Sequence, residues 1–252
     1  EIFLLPFLLV KLKIRILFCP GGVVPRLLFR SCKIVTMFRN MLPFDNEERK
    51  KYKIGFMRVR NWLLSKVFIS SMQRADLVIF ISKYSQSVIE EKIKSPLNSS
   101  KLIPHGVDFD SRVEHGSFFP EVLEDETYIL YPSTIDVYKS HLEVVEAYYL
   151  ASLKIQLPKL FFVGSVQKAN KSYAKEVRAL ISQYKLEDQI IFLGRVPYEN
   201  MPKAYKNAEF IIFASRTENC PNILLEALSL NCLVICSNYP PMPEFAEDAV
   251  IY

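Results

Sequence analysis

Along most of this chain, short apolar runs alternate with longer stretches in which apolar positions recur every three or four residues. The first pattern predicts strands buried on both faces, and the second predicts helices with one packed side. Their alternation predicts an α/β fold with parallel sheets. "IRILFCPGG" predicts a strand and a turn, and "CKIVTMF" a second strand followed by the loop "RNMLPFDNEE". Helical periodicity then runs from Glu47 to Met72, with Trp62, Leu63, Val67 and Phe68 on one side and many Arg and Lys opposite. "ADLVIFIS" predicts a buried strand, "SKYSQSVIEEKI" a helix after a serine cap, and "KLIPHGVDF" a short strand and turn.

Between Asp108 and Glu126 the periodicity disappears and charge rises, which predicts a linker at 109–126. A second alternating series follows. Strands are predicted at "TYILYPS", "KLFFVGS", "QIIFLGRV", "EFIIFAS" and "CLVICSN", with helices at "HLEVVEAYYLASLK", "KSYAKEVRALISQYK", "ENMPKAYKNA" and "PNILLEALSLN". The reading is therefore two Rossmann-like domains, 1–108 and 127–252, with parallel sheets facing a cleft. Ligands bind such sheets at the carboxyl ends of their strands. The opening "EIFLLPFLLV" is broken by Pro6 and followed by Lys11, Lys13 and Arg15, so it is too short for a membrane span. The chain starts on Glu and stops on the strand-like "DAVIY", and the expectation is a fragment, with the first domain incomplete and the second truncated.

Composition narrows this picture only slightly. Half the residues are hydrophobic and 23% are charged, an ordinary globular composition. A net charge of +5 suits an anionic ligand or an acidic membrane surface and is too weak to indicate nucleic acid. The five cysteines are odd in number and form no CxxC pair, which argues against a disulfide framework or a zinc cluster and for a reducing cytoplasm. The three histidines lack metal-ligand spacing, so no metal is expected. His105 is expected in a turn, and His141 is expected to cap a helix or contact phosphate.

Candidate chemistry concentrates in "SRTENCPNILLEA", where seven residues separate Glu218 from Glu226. Pro221 suits the first turn of a helix, where its missing N–H is no loss. The N–H groups of Asn222, Ile223 and Leu224 would then face outward at a positive helix end, which is an anion site. Glu226, one turn on, can accept hydrogen bonds from vicinal hydroxyls such as those of ribose. The spacing alone equally fits a solvated loop charge followed by a surface helix charge. Cys220 has no base beside it and reads as a packed thiol.

The longer segment "FIIFASRTENCPNILLEALSLNCLVICSN" resembles the nucleotide-sugar-binding segment of retaining glycosyltransferases of family 4, which have the GT-B fold. Leu233 and Asn231 stand where that family usually has Pro and Gly, and Asn is tolerated at a left-handed helix end. "ADLVIFISKYSQ", "IPHGVD", "YILYPSTIDVYKSHLEVVEA", "FFVGS" and "IIFLGRVPYENMPKAY" extend the resemblance from Ala75 to Glu244. It implies transfer of a sugar, with retention, from a nucleotide-diphosphate-sugar to a hydroxyl of a glycan, lipid-linked or small-molecule acceptor, with no bound cofactor.

Carried over by resemblance, Glu218 contacts the transferred sugar and Lys139 neutralises the leaving diphosphate. The segment Asn219, Cys220, Pro221, Asn222 and Ile223 lines sugar and phosphate, and Glu226 takes the ribose. The family's Gly-Arg is here Ser133-Thr134, so Arg195, Arg216 or Lys168 would have to supply the second cation. A histidine common in the first domain is replaced by Arg39-Asn40, and Gly21-Gly22 is too short for the family's glycine-rich loop. These departures keep two alternatives open: a degenerate domain that binds a nucleotide sugar without catalysis, and another GT-B enzyme such as an epimerase or phosphorylase. The basic stretch from Arg49 to Arg60 reads as a solvated face, with peripheral contact with the inner face of a membrane as the alternative.

Overall fold

The structure is a computed structural model that describes residues 4–24, 32–52, 55–93, 95–107, 120, 123–124 and 127–252. The linker expected at 109–126 falls almost wholly outside them. The chain divides into two compact units, Glu1–His105 with Glu218–Cys220, and Gly106–Thr217 with Pro221–Tyr252.

In the first unit, strands β1 (Ile16–Cys19), β2 (Lys33–Phe38), β3 (Leu77–Phe80) and β4 (Ser100–Leu102) form a parallel sheet in the order β1-β2-β3-β4. Helices α1 (Leu4–Lys11), α2 (Asn46–Lys51), α3 (Phe56–Arg74) and α4 (Lys83–Lys92) accompany it. Phe38 organises the core. Its ring meets those of Phe44, Phe68 and Phe80 edge-on at 5.3, 5.9 and 6.2 Å, a geometry favoured by the ring quadrupole. Ser82 caps α4 as expected, accepting from Ser85 N at 3.1 Å. The predicted loop after β2 instead contains the start of α2, which Asp45 caps by accepting from Glu48 N at 3.0 Å.

The helix predicted over 47–72 is two helices, and its inward side is corrected. Trp62, Leu63 and Val67 are exposed, whereas Asn61, Ser65, Phe68, Ser71 and Met72 are buried. Two apolar stripes run along α3 at helical spacing, and periodicity alone cannot choose between them. The stripe that packs is the one placing Phe68 and Met72 in the Phe38 cluster. Ser71 is useful on that side because its hydroxyl accepts the backbone N–H of Val24 at 3.0 Å, which would otherwise be a buried donor without a partner.

In the second unit, β5 (Tyr128–Pro132), β6 (Lys159–Val163), β7 (Ile190–Gly194), β8 (Ala208–Phe213) and β9 (Val234–Cys236) form a parallel sheet ordered β7-β6-β5-β8-β9. Helices α5 (His141–Ser152), α6 (Lys171–Gln183), α7 (Met201–Asn207), α8 (Asn222–Ser229) and α9 (Met242–Ala246) alternate with the strands. All five residues of β5 are buried. Tyr128, Leu130 and Phe161 pack with Tyr205 and Leu224 in one cluster, and Ile129, Tyr131 and Phe162 with Val145 and Val177 in another. The sheet thus has a core on each face, and strand order reverses at β5. That reversal is where such a fold opens a ligand crevice. Asn231 closes α8 at φ 56°, the left-handed conformation anticipated for it.

Candidate functional site

The strand ends of the second unit are drawn together by backbone hydrogen bonds. Ser133 N donates to Val163 O at 2.8 Å, and Gly164 N donates to Gly194 O at 2.7 Å. The approach is so close that a Cβ on Gly164 would lie 2.0 Å from the carbonyl oxygen of Ser133. Only glycine fits there. After Thr134 the chain enters a tight turn, with the Asp136 carboxylate accepting from Val137 N at 2.7 Å. The turn ends at Ser140 in the left-handed conformation (φ 57°), and α5 begins.

Lys139 sits in this turn and is buried, with 7% of its surface exposed. Its ammonium lies 5.1 Å from the ring centre of Tyr138 and 5.5 Å from that of Phe213, the last residue of β8. Two aromatic faces therefore hold the cation where water is largely excluded, and a quadrupole attracts a desolvated cation more strongly than an exposed one. An ordinary solvated lysine does not look like this.

His141 corrects an expectation. It is fully buried, stacked on Tyr131 at 4.8 Å and edge-on to Phe162 at 5.0 Å, so it is a core ring and not a phosphate contact. Burial, reinforced by the Lys139 charge, lowers its pKa to about 3 and keeps it neutral.

Arg216 is bonded directly into the turn that carries Lys139. Its N–H donates to Tyr138 O at 2.9 Å, its guanidinium donates to Val137 O at 3.0 Å, and it pairs with Glu143. The other two cations named as substitutes, Arg195 and Lys168, are exposed on the loops after β7 and β6. Ser133 is buried and Thr134 half-buried, and the Ser133 hydroxyl donates to Thr134 O at 3.0 Å.

The segment that carries both glutamates is divided. Glu218, Asn219 and Cys220 group with the first unit, and Pro221 onward belongs to the second. Asn219 and Cys220 are buried, and Glu218 is half-buried. Pro221 stands at the cap of α8 and not inside its first turn as expected; its carbonyl accepts from Leu225 N at 3.1 Å. The helix therefore opens with the N–H groups of Asn222, Ile223 and Leu224, which have no acceptor within α8 itself.

Glu226 lies one turn further along α8 and is half-buried. Tyr205 Oη donates to its Oε2 at 3.0 Å and Tyr198 Oη to its Oε1 at 3.4 Å. Burial raises the Glu226 pKa and outweighs the two hydrogen bonds that lower it. The tyrosines stand 21 and 28 residues before the glutamate, so sequence reading missed them. Their only signal was that both lie in "VPYENMPKAY", the segment that follows β7. Among the described residues, no group of three or more His, Cys, Asp or Glu could hold a metal ion.

Residues 116–251 match the family model of glycosyl transferases group 1, which is more than half of the chain. The chain belongs to that family. It is 26% identical over 181 residues to the N-acetylgalactosamine-N,N'-diacetylbacillosaminyl-diphospho-undecaprenol 4-alpha-N-acetylgalactosaminyltransferase of Campylobacter jejuni, covering 71% of this chain and 46% of that protein. Among solved structures, Anabaena HepE in complex with UDP superposes with a TM-score of 0.70 at 15% identity, covering 96% of this chain and 64% of that one. WaaG, a glycosyltransferase involved in lipopolysaccharide biosynthesis, gives 0.68 at 15% identity over 97% and 65%. At such identities the structures speak for the fold, which is the GT-B type with two parallel α/β sheets. The group 1 chain described here spans about half the length of the curated relative it matches.

Proposed function

We propose that this group 1 chain belongs to a retaining glycosyltransferase of family 4. It moves a sugar from a nucleotide-diphosphate-sugar to a hydroxyl of a glycan, lipid-linked or small-molecule acceptor, and needs no resident cofactor. The observation that carries the reading is the buried Lys139 ammonium, held between two aromatic rings beside the end of β8. A fixed cation in a dry site stabilises the negative charge that develops on a diphosphate as its glycosidic bond breaks. The N–H groups at the start of α8 add partial positive charge for the same diphosphate. Glu226 accepts the ribose hydroxyls, and Glu218 contacts the transferred sugar. Asn219, Cys220, Pro221, Asn222 and Ile223 line the sugar and phosphate groups. The proposed domains are 1–108 on the acceptor side and 127–252 on the donor side, joined by 109–126.

The UDP held by HepE and the undecaprenol-diphosphate substrate named for the Campylobacter relative support a nucleotide donor and a lipid-linked acceptor. Peripheral contact with the cytoplasmic face of a membrane belongs to the same reading. On α3, Phe56, Val59, Leu63 and Val67 are exposed at helical spacing, with the exposed Arg60 and Lys66 beside them. An apolar stripe flanked by basic residues fits an anionic lipid surface. Among the described residues, no helix is long and apolar enough to cross a membrane.

The test is release of nucleoside diphosphate from a panel of nucleotide sugars, with and without polyprenyl-diphosphate-linked acceptors, followed by the anomeric proton coupling of any product. Lys139→Ala should cut turnover by about a hundredfold or more. Glu226→Ala should act mainly through donor KM. Product of inverted configuration would remove the retaining assignment. Donor binding with no release under any condition would favour the degenerate domain, the alternative that Thr134 keeps open.

A further inference from the structure

The tyrosines that hold Glu226 are not explained by the reading above. A half-buried carboxylate is usually stabilised by a cation, because an ion pair recovers part of what desolvation costs. Here the two hydrogen bonds come from phenols: Tyr205 from α7, and Tyr198 from the turn that precedes it. Tyr205 is completely buried, and its ring belongs to the same apolar cluster as Leu224 and Ala227 of α8. Its hydroxyl is therefore fixed in place. Burial and the neighbouring Glu226 raise its pKa well above the ordinary tyrosine value, so it remains a donor at any physiological pH.

A carboxylate offers about four lone-pair sites, two on each oxygen. Tyr205 occupies one on Oε2 and Tyr198 one on Oε1, which leaves one on each oxygen. That residual pair is what two adjacent hydroxyls on a sugar ring need. A cation would have competed for those positions, and phenols do not. Without the tyrosines the side chain would be free to rotate about its terminal bonds, and any ligand would have to order it at an entropic cost.

We propose that Tyr205, assisted by Tyr198, is a positioning residue that presents Glu226 to the paired 2′ and 3′ hydroxyls of a ribonucleotide and so sets the site's selectivity for ribose over deoxyribose. This rests on the ribose role given to Glu226. Tyr205 and Tyr198 act on Glu226, Cys232 lies beside Tyr205, and Lys206 acts on that cysteine.

The experiment measures dissociation constants of UDP, GDP and ADP, and of their 2′-deoxy forms, for the wild-type chain and for Tyr205→Phe, Tyr198→Phe and Glu226→Gln. Wild type should prefer at least one ribonucleotide by about tenfold, the worth of one charge-assisted hydrogen bond. Tyr205→Phe should weaken that ribonucleotide and leave its deoxy form nearly unchanged, so the ratio falls toward one. Tyr198→Phe, on an exposed side chain whose replacement does not threaten folding, should lower the ratio less. The pH profile gives an independent readout. Affinity for the ribonucleotide is lost as pH falls through the raised Glu226 pKa, and removing the Tyr205 hydrogen bond should move that loss to higher pH.

A Tyr205→Phe protein that weakens both forms equally, or keeps the wild-type ratio, overturns the positioning role. If Tyr205→Phe does not fold, an unchanged ratio in Tyr198→Phe overturns it instead. Ribose preference that survives in Glu226→Gln, or no nucleotide binding by wild type, overturns the ribose reading itself and the proposal with it.

Discussion

The two sheets share a parallel βα plan but bury it differently. All five residues of β5 are inside, with another strand on each side and an apolar cluster on each face. In β1, the end strand of the first unit's sheet as described, Ile16 and Phe18 remain 63% and 48% exposed. The helices differ in the same sense. Those of the second unit turn most of their apolar positions inward, with Leu150 of α5 an exception, whereas α3 buries Asn61, Ser65 and Ser71 and exposes Trp62 and Leu63. An apolar residue reports burial only where both of its flanks are occupied. In β5 they are, whereas in β9, an end strand of the same sheet, Ile235 is still 39% exposed.

Substitutions can break or sharpen this contrast. The largest effect should come from Phe161→Ala, which empties a position with no exposed surface and removes an edge-on contact with Tyr128 at 5.4 Å. It should cost about 3–5 kcal/mol. Phe18→Ala should cost less than about 0.5 kcal/mol. Similar losses in urea denaturation would erase the distinction between the two sheets.

Acid should act next, through His141 in the second unit. Its folded pKa of about 3 lies below the ordinary 6.5. The unfolded chain therefore binds the proton first, and the stability contributed by the neutral ring is complete above pH 6.5 and lost as pH falls toward about 3. The slope attributable to this residue is roughly 1.4 kcal/mol per pH unit inside that window. Comparison of wild type with His141→Phe across pH 4–7 measures it, and identical slopes would contradict the assignment.

In the first unit the effect should run the other way. Among the described residues, neither polar atom of the Asn61 amide has a hydrogen-bond partner, although the residue is fully buried. Asn61→Leu, of similar volume, should raise stability by about 1–2 kcal/mol, visible as a higher melting temperature. A loss would mean that the amide serves an interaction worth more than its desolvation. A smaller gain is expected at Ser140, whose φ of 57° suits glycine better than a residue with a Cβ. Ser140→Gly should add roughly 0.5–1 kcal/mol, and a decrease would show that the turn tolerates serine without strain.

How much was readable in advance follows the same division. The second unit's five strands and the helices α5 to α8 were anticipated one by one, because each buried strand is a continuous apolar run followed by a periodic helix; the short α9 after Pro240-Pro241 was not. Helix α3 was placed but turned the wrong way, since its two apolar stripes are chemically alike and only the aromatic cluster around Phe38 chooses between them. At the site, Lys139, Glu218 and Glu226 stood out through resemblance to a family segment, while Tyr198 and Tyr205 did not. A hydrogen bond between helices α7 and α8 has no sequence period to reveal it. The burial of His141 was equally invisible, because a histidine at a helix start reads the same whether it caps, binds phosphate or packs.

The central claim is that α8 and the turns around it hold a nucleoside diphosphate through Glu226. Its most direct test is thermal-shift titration of this chain and of Glu226→Ala with UDP, GDP, ADP and their sugar conjugates. Saturable stabilisation by one nucleotide family, lost or strongly weakened in the variant, is the predicted result. A folded wild-type protein that no nucleotide stabilises, or an equal shift in both proteins, would contradict it.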